Sequence, residues 1–390
     1  MSSQRKAVAQ PSMTPLNILH VLRAPVGGLF RHVLDLSREQ AVRGHRVGIV
    51  ADSSTGGERA EAAFKLLEPS LALGMTRVPM RRHLGPGDAF AVAHVMRRAR
   101  QTAADVIHGH GAKGGAYARL TFGHSRAVRA YTPHGGSLLF GHDTLAGKFY
   151  LATERLLMLR GDLFLFESAF SAEMFRTKIG TPRGLVRVVH NGVSPQEFEP
   201  VVPRPDATDL VFLGELRHLK GIDVLIEAIA RLRRDGRPVT ATLVGSGPDR
   251  DTFHALVDTL GLGDLIRFKP AMPGPEALKL GRVMVVPSRF ESLPYVVLEA
   301  AAGLVPLIAT RVGGIPEILG PQAAALVPPD DVPALAHGIA KALDDGPETT
   351  TAAGQLRDRV AASFSIQAMV DGILDGYRTA LETLRQNGRR

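Results

Sequence analysis

The chain is predicted to fold as two doubly wound α/β domains joined end to end, and three observations carry that reading. Short apolar runs alternate with helical patterns along most of its length, as parallel strands joined by helices require. The alternation dissolves into a Pro-rich stretch over residues 191–209 and restarts beyond it. Glycine-rich loops follow several of the runs, at the strand ends where open α/β sheets hold ligands. A chain of 390 residues is also too long for one core. The expected layout is a disordered lead-in over 1–14, domains over 15–200 and 201–365, a C-terminal helix over 366–386 packing back on the first domain, and a disordered tail over 387–390.

Residues 16–22 read as a buried strand, followed by a loop through Gly28 and a helix over 29–43 with Val33, Leu34, Leu36 and Val42 on one face. Gly44 ends that helix, and 47–51 form the next strand. Further short strands are expected at 106–108, 127–131 and 163–166. Past the boundary the pattern predicts strands at 210–213, 240–244, 266–268, 283–286 and 307–309, with helices over 222–234 and 250–260. Two such sheets place their crevices opposite each other, so the natural site is the cleft between domains.

At 45% hydrophobic and 22% charged residues the composition is ordinary for a globular protein. No run approaches the roughly 20 apolar residues of a membrane span. The first 13 residues place Gln10, Pro11 and Ser12 where the apolar core of a secretion signal would begin, so the protein is expected to be cytoplasmic. With no cysteine, the chain has no disulfides, thiolate metal sites or thiol nucleophiles. Net charge is +9, and residues 1–206 carry 27 Lys and Arg against 16 Asp and Glu while the remainder is close to neutral. A basic first half suits an anionic membrane surface or nucleic acid. Aromatic residues at 5% and the lack of Trp leave few bases-on-ring platforms, which disfavours nucleic acid.

The densest candidate site is the block from Phe290 to Ala300, between the strands at 283–286 and 307–309. It places Glu291 in a strand-to-helix loop and Glu299 eight residues on, two helical turns further by spacing, so that both can face one crevice. A lone Glu there is more often merely solvated; the whole block, next to a helix N-terminus that attracts anions, is harder to dismiss. In the loop at 214–221, Arg217 and Lys220 could clamp a diphosphate, though a solvated basic turn would look the same. Gly27 and Gly28 open a loop-to-helix junction that lets backbone approach a ligand. Gly245, Ser246, Gly247 and Pro248 imitate a dinucleotide fingerprint, but Arg250 stands where its third glycine belongs. Asp249, Asp251, Asp330 and Asp331 read as partners of helix starts rather than metal ligands. His134, just past a strand, can bond a substrate or move a proton. His108 and His110 read as structural or substrate-lining groups rather than a metal pair.

Taken in order, these blocks resemble the family 4 glycosyltransferases, enzymes of the GT-B fold. The resemblance runs through Gly27 and Gly28, Gly44 to Val47, Thr132 to His134, His190 to Val193, Lys220 and Gly221, Gly245 to Pro248, the block from Glu291 to Glu299, and Gly313 to Glu317. It implies two Rossmann-like domains facing each other across a cleft. It also implies retaining, metal-independent transfer of a sugar from a nucleotide-diphosphate donor, with no bound cofactor and with UDP- or GDP-sugars as first candidates. By that resemblance Glu299 holds the ribose, Glu291 meets the donor sugar, the loop of Ser292, Leu293, Pro294 and Tyr295 lies with its amides near sugar and phosphates, and Lys220 binds the diphosphate. His134 matches a histidine near the transferred sugar, and Gly28 a glycine near diphosphate and acceptor. Where the family often has Arg after the phosphate-loop glycine this chain has Glu215, with Arg217 two positions later as the replacement cation; Lys269 and Pro270 occupy the region of the nucleobase. The implied acceptor is a saccharide or lipid-linked envelope or exopolysaccharide precursor, met at the inner membrane face by the basic domain. No carboxylate stands out as a nucleophile, so front-face transfer is the economical mechanism. A GT-B nucleotide-sugar epimerase and a non-catalytic nucleotide-sugar sensor remain as other readings.

Overall fold

The computed structural model describes residues 14–121 and 127–388. The expected lead-in, but for Thr14, and the last two residues of the expected tail lie outside the described residues.

Two parallel sheets are present. The first contains β1 (Asn17–Leu22), β2 (Arg46–Asp52), β3 (Met75–Val78), β4 (Val106–His110), β5 (Val128–Thr132), β6 (Leu163–Phe166) and β7 (Leu185–Val188), in the order β3-β2-β1-β4-β5-β6-β7. The second contains β8 (Thr208–Leu213), β9 (Ala241–Val244), β10 (Ile266–Lys269), β11 (Gly281–Val286) and β12 (Leu307–Ala309), in the order β10-β9-β8-β11-β12. The helices around the first sheet are α1 (Gly27–Val42), α2 (Gly57–Leu67), α3 (Gly87–Gln101), α4 (Gly111–Arg119), α5 (Leu145–Met158) and α6 (Ala169–Lys178). Around the second are α7 (Ile222–Arg234), α8 (Arg250–Thr259), α9 (Gly274–Leu278), α10 (Tyr295–Ala302), α11 (Ile315–Leu319), α12 (Val332–Asp344) and α13 (Gly346–Ser363), and α14 (Ile366–Asn387) ends the chain.

The strands that sequence reading did not anticipate, β3 and β7, form the two edges of the first sheet. Each has four residues that include an arginine, and β7 alternates between half-buried and exposed. A buried parallel strand announces itself by continuous apolar residues; a half-covered edge does not.

Helix α7 shows why the second domain holds together. Its residues Ile222, Leu225, Ile226, Ile229 and Leu232 are buried in one core with Leu210, Phe212 and Leu243 of the adjoining strands. Helix α14 belongs instead to the first domain: Met369, Val370, Ile373, Leu374 and Tyr377 pack with Ile18, Val106 and Leu163. The chain therefore crosses between domains twice, and a bridge between Val193 and Ser365 joins the two crossings. No described helix is long and apolar enough to cross a membrane.

Helix α4 sits unusually close to its sheet because a Cβ on Gly114 would fall 2.4 Å from the Val21 carbonyl oxygen. At its end Arg119 is fully buried, 2.5 Å from the Glu154 carboxylate and 3.9 Å from the centre of the Tyr131 ring. Removing one member of such a pair strands the other charge in a medium that solvates it poorly. Arg119→Met is expected to cost about 3 kcal/mol of stability in urea unfolding, and a loss under about 1 kcal/mol would mean that the Glu154 carboxylate is not left unsolvated by the change.

Candidate active site

The site is built from loops at the carboxyl ends of both sheets. Gly221, with φ +65°, lies so close to the end of β11 that a Cβ there would meet the Pro287 carbonyl oxygen at 1.9 Å. That approach sets Lys220, the preceding residue, over the loop between β11 and α10. Lys220 Nζ donates to Glu291 Oε1 at 2.6 Å, and Ser288 Oγ donates to the same oxygen at 2.7 Å. Gly313 closes the other side: with φ +57°, a Cβ would fall 1.6 Å from the Glu291 carbonyl oxygen. The backbone of Glu291 is thus pinned by a neighbouring loop and its carboxylate by a cation.

Arg217 behaves differently from Lys220. It is partly exposed, and its recorded ion-pair partner is Glu215 at 3.8 Å. The two cations expected to clamp a ligand together point to different partners, Lys220 to Glu291 and Arg217 to Glu215. Asp249 does not cap its own helix; its Oδ2 accepts from the His218 amide at 2.7 Å and so braces the phosphate-loop candidate from outside. Asp331 does cap α12, accepting from the Ala334 amide at 2.8 Å. Gly245 lies on the same loop cluster, where a Cβ would meet the Gly214 carbonyl oxygen at 1.9 Å, and its amide donates to the Lys269 carbonyl at 3.0 Å.

Glu299 is only one turn into α10, because the backbone from Ser292 to Pro294 is not helical and the helix begins at Tyr295. The spacing of two full turns is corrected accordingly. Its carboxylate is bonded by Arg31 of α1, across the cleft. The same guanidinium donates to Glu197 at 2.5 Å and Asp35 at 3.3 Å and lies 4.3 Å above the Tyr295 ring centre. Burial pushes the Glu299 carboxyl upward, and Arg31 pulls it back. The other face of Glu299 looks toward α9, where a Cβ on Gly274 would meet Oε2 at 2.9 Å. Glu291 and Glu299 therefore rest on different cations from different domains. Arg31 was missed by sequence reading, since an arginine inside an amphipathic helix carries no local mark of its partner 268 residues away.

Gly27 and Gly28 are the first residues of α1 rather than the end of a loop. A Cβ on Gly28 would stand 3.5 Å from the Tyr295 ring, so the N-terminus of α1 faces that of α10. Ser292 Oγ is buried with no hydrogen-bond partner among the described residues. The Leu293 carbonyl accepts from Asn191 Nδ2 at 2.8 Å, and Pro294 precedes the first turn of α10. A second cross-cleft contact is made by Glu317, which accepts from the amides of Ala169 and Phe170, each at 2.9 Å, and lies 3.1 Å from His190.

His134 joins a cluster of buried imidazoles that the strand register creates. His20 of β1 is paired in register with His108 of β4, and His110 with Thr132 of β5. A chain runs from Gln40 Oε1 to His20 Nε2 at 2.8 Å, from His20 Nδ1 to His110 Nε2 at 2.9 Å, and from His110 Nδ1 to His134 Nε2 at 3.1 Å. With the Gln40 carbonyl accepting, each ring carries its proton on Nε2 and donates along the chain. His134 then presents Nδ1 as an acceptor. Its φ of +50° is uncommon for a residue with a side chain and turns it out of the strand direction. Burial drives all these imidazoles toward the neutral form, His20 and His32 down to about 4 and His108, His110 and His134 well below the usual value. Ligating atoms of His20, His108 and His110, and of His32, His110 and His134, lie within 4.8 Å of one another. His20, His110 and His134 serve one another as donors and acceptors, while His108 bonds Tyr377 and Thr132 and His32 bonds Asn191, the pattern of a neutral hydrogen-bonded network.

Comparison with known proteins agrees with this geometry. Residues 26–197 match the family model for Glycosyltransferase Family 4, and residues 194–358 that for Glycosyl transferases group 1. The chain is 30% identical over 270 residues to D-inositol 3-phosphate glycosyltransferase 1 of Catenulispora acidiphila, a match covering 63% of this chain and 64% of that one. It is 26% identical to glycogen synthase of Mycobacterium tuberculosis over 93% of each chain. Among solved structures, HepE of Anabaena in complex with UDP-glucose superposes with a TM-score of 0.77 at 20% identity, covering 93% of this chain and 100% of that one. Two parallel α/β sheets facing across a cleft, with loops of both converging on Glu291 and Glu299, and the two family models laid end to end, make this chain a member of the family 4 glycosyltransferases, with the GT-B fold.

Proposed function

We propose that the protein is a retaining, metal-independent glycosyltransferase that moves a sugar from a UDP- or GDP-linked donor to a saccharide or lipid-linked acceptor at a membrane surface. The observation that carries the donor half is Lys220 held on buried Glu291, beside the first turns of α7 and α10. A cation and free helix amides are what a departing diphosphate needs when no metal neutralises it. In this reading Glu299 takes the ribose hydroxyls, Glu291 and the amides after it meet the sugar, and His134 accepts from a sugar hydroxyl through Nδ1. Arg217, half-exposed at the loop edge, reaches the phosphates only by leaving Glu215. The bond from the anomeric carbon to the diphosphate breaks with its electron pair going to the phosphate oxygen. The acceptor hydroxyl attacks from the same face, and its proton passes to that oxygen. UDP-glucose is the ligand named for one structural relative, which supports testing UDP-sugars first.

The membrane half rests on α5. Leu145, Phe149, Ala152 and Leu156, with Leu159 just past the helix end, form an exposed stripe at helical spacing, with Leu145 86% and Leu156 67% exposed. Lys148 and Arg155 flank it, and Arg155 and Arg183 line an adjoining pocket of about 490 Å³. Apolar residues between cations match an anionic bilayer surface, in line with the excess positive charge of this half of the chain.

A panel of UDP- and GDP-sugars scored by thermal stabilisation is expected to pick out one donor, and labelled sugar from it should then appear in extracted membrane glycans. Isomerised donor formed with no acceptor would replace the transferase reading with an epimerase. Binding to vesicles containing phosphatidylglycerol should weaken with salt and fall sharply in L156E/L159E; equal sedimentation of that variant would remove α5 from the membrane face.

A further inference from the structure

Glu167 follows β6 directly and is 2% exposed. Among the described residues no donor meets either carboxylate oxygen at hydrogen-bond geometry. Burial pushes this carboxyl upward, with the Ser292 and Ser171 hydroxyls and the Gly135 backbone close enough to temper the shift, and no cation among the causes. The residue lies where the two domains meet. A Cβ on Gly135, the neighbour of His134, would be 3.2 Å from Ser292 Oγ, and a Cβ on Gly314 would be 3.1 Å from the Cβ of Ser168. Ser292 Oγ is itself buried and unpartnered among the described residues. Folded proteins pair most of their buried polar groups, so adjacent unpaired atoms on opposite domains mark a place made for a polar ligand. Replacing the carboxyl with an apolar group would fill the same space without the cost of burying it.

We propose that Glu167 and Ser292 together bind a hydroxyl of the transferred sugar, Glu167 accepting from it and Ser292 donating to it. This rests on the donor reading above. Glu167 then supplies the first domain's second contact to the sugar, beside His134, and selects donors that carry a hydroxyl at that position. The chemistry is recognition only: a site shaped for a hydroxyl rejects the analogue that lacks it far better than an apolar pocket rejects an extra group.

The test is calorimetric binding of UDP and UDP-glucose, or GDP and GDP-mannose if the panel selects that base, by wild type, Glu167→Ala and the isosteric Glu167→Gln. Glu167→Ala is expected to leave nucleotide affinity within twofold and to weaken the nucleotide sugar at least tenfold, with Glu167→Gln in between. Against wild type, one singly deoxygenated donor should lose affinity, and against Glu167→Ala that same donor should lose none. Equal weakening of nucleotide and nucleotide sugar, or an undiminished penalty for every deoxy donor in Glu167→Ala, would overturn the assignment alone. Wild-type protein that binds no nucleotide sugar more tightly than its nucleotide would overturn the donor reading and this assignment with it.

Discussion

Replacing Lys220 with Ala is expected to lower turnover by about a hundred- to a thousand-fold, the loss seen when one preorganised donor to a developing anion is removed. Lys220 is the cation on Glu291, whose carboxylate is buried and otherwise bonded by Ser288. In the proposed donor complex the ammonium exchanges one anion for another, from Glu291 to the leaving diphosphate. Without it the developing charge falls on amides alone. The measurement is single-turnover release of the nucleotide, which separates chemistry from product release. Arg217→Ala serves as the internal contrast: an arginine this exposed, 3.8 Å from Glu215, should cost under about tenfold by the usual worth of a screened surface pair. If Lys220→Ala lost less than Arg217→Ala, the charge that stabilises the leaving group would lie on the loop's outer edge, and the assignment of Lys220 would fail.

Acid should destabilise this protein as soon as pH falls into the range where free imidazoles protonate. His20 and His32 titrate at about 4 in the fold, chiefly because both are buried, against about 6.5 in an unfolded chain. Between those values the unfolded state holds more protons than the folded one, so stability rises with pH across that window. The contribution is whole above about 6.5 and is lost as pH falls toward 4. At full extent it is about 3 kcal/mol for each of the two. His108, His110 and His134 shift in the same direction and add to it. Asp35, Glu167 and Glu299, raised by burial, act in the opposite sense, because their folded forms take up protons first as pH falls. Five imidazoles outweigh three carboxyls, so the urea midpoint should drop steeply between pH 6.5 and pH 4.5, and His20→Asn should flatten that drop. A midpoint level from pH 7 to pH 5 would mean that the cluster is hydrated and titrates normally.

What was legible in the sequence followed from local rules. Most buried strands of both sheets carry a short apolar run, which needs no partner to be recognised. The strand-loop-helix order placed Glu291, Lys220, Gly28 and His134 at strand ends, where such sheets hold ligands. The edge strands β3 and β7 were not legible, because half-exposed backbone tolerates arginine and loses the apolar run. Nor was the true start of α10, which places Glu299 one turn into its helix instead of two.

The sequence by itself determined the two-domain α/β architecture, the family, and which loops stand at the carboxyl ends of the strands, since each depends on neighbours in the chain. Only the tertiary structure decided the partners: Lys220 on Glu291, Arg31 reaching Glu299 across 268 residues, the imidazole chain that sets the tautomer of His134, and Glu167 lying against Ser292. Those contacts depend on parallel-strand register and on two domains brought face to face. A charged side chain carries no local trace of what it will be buried against, and burial is what sets its proton affinity and its use.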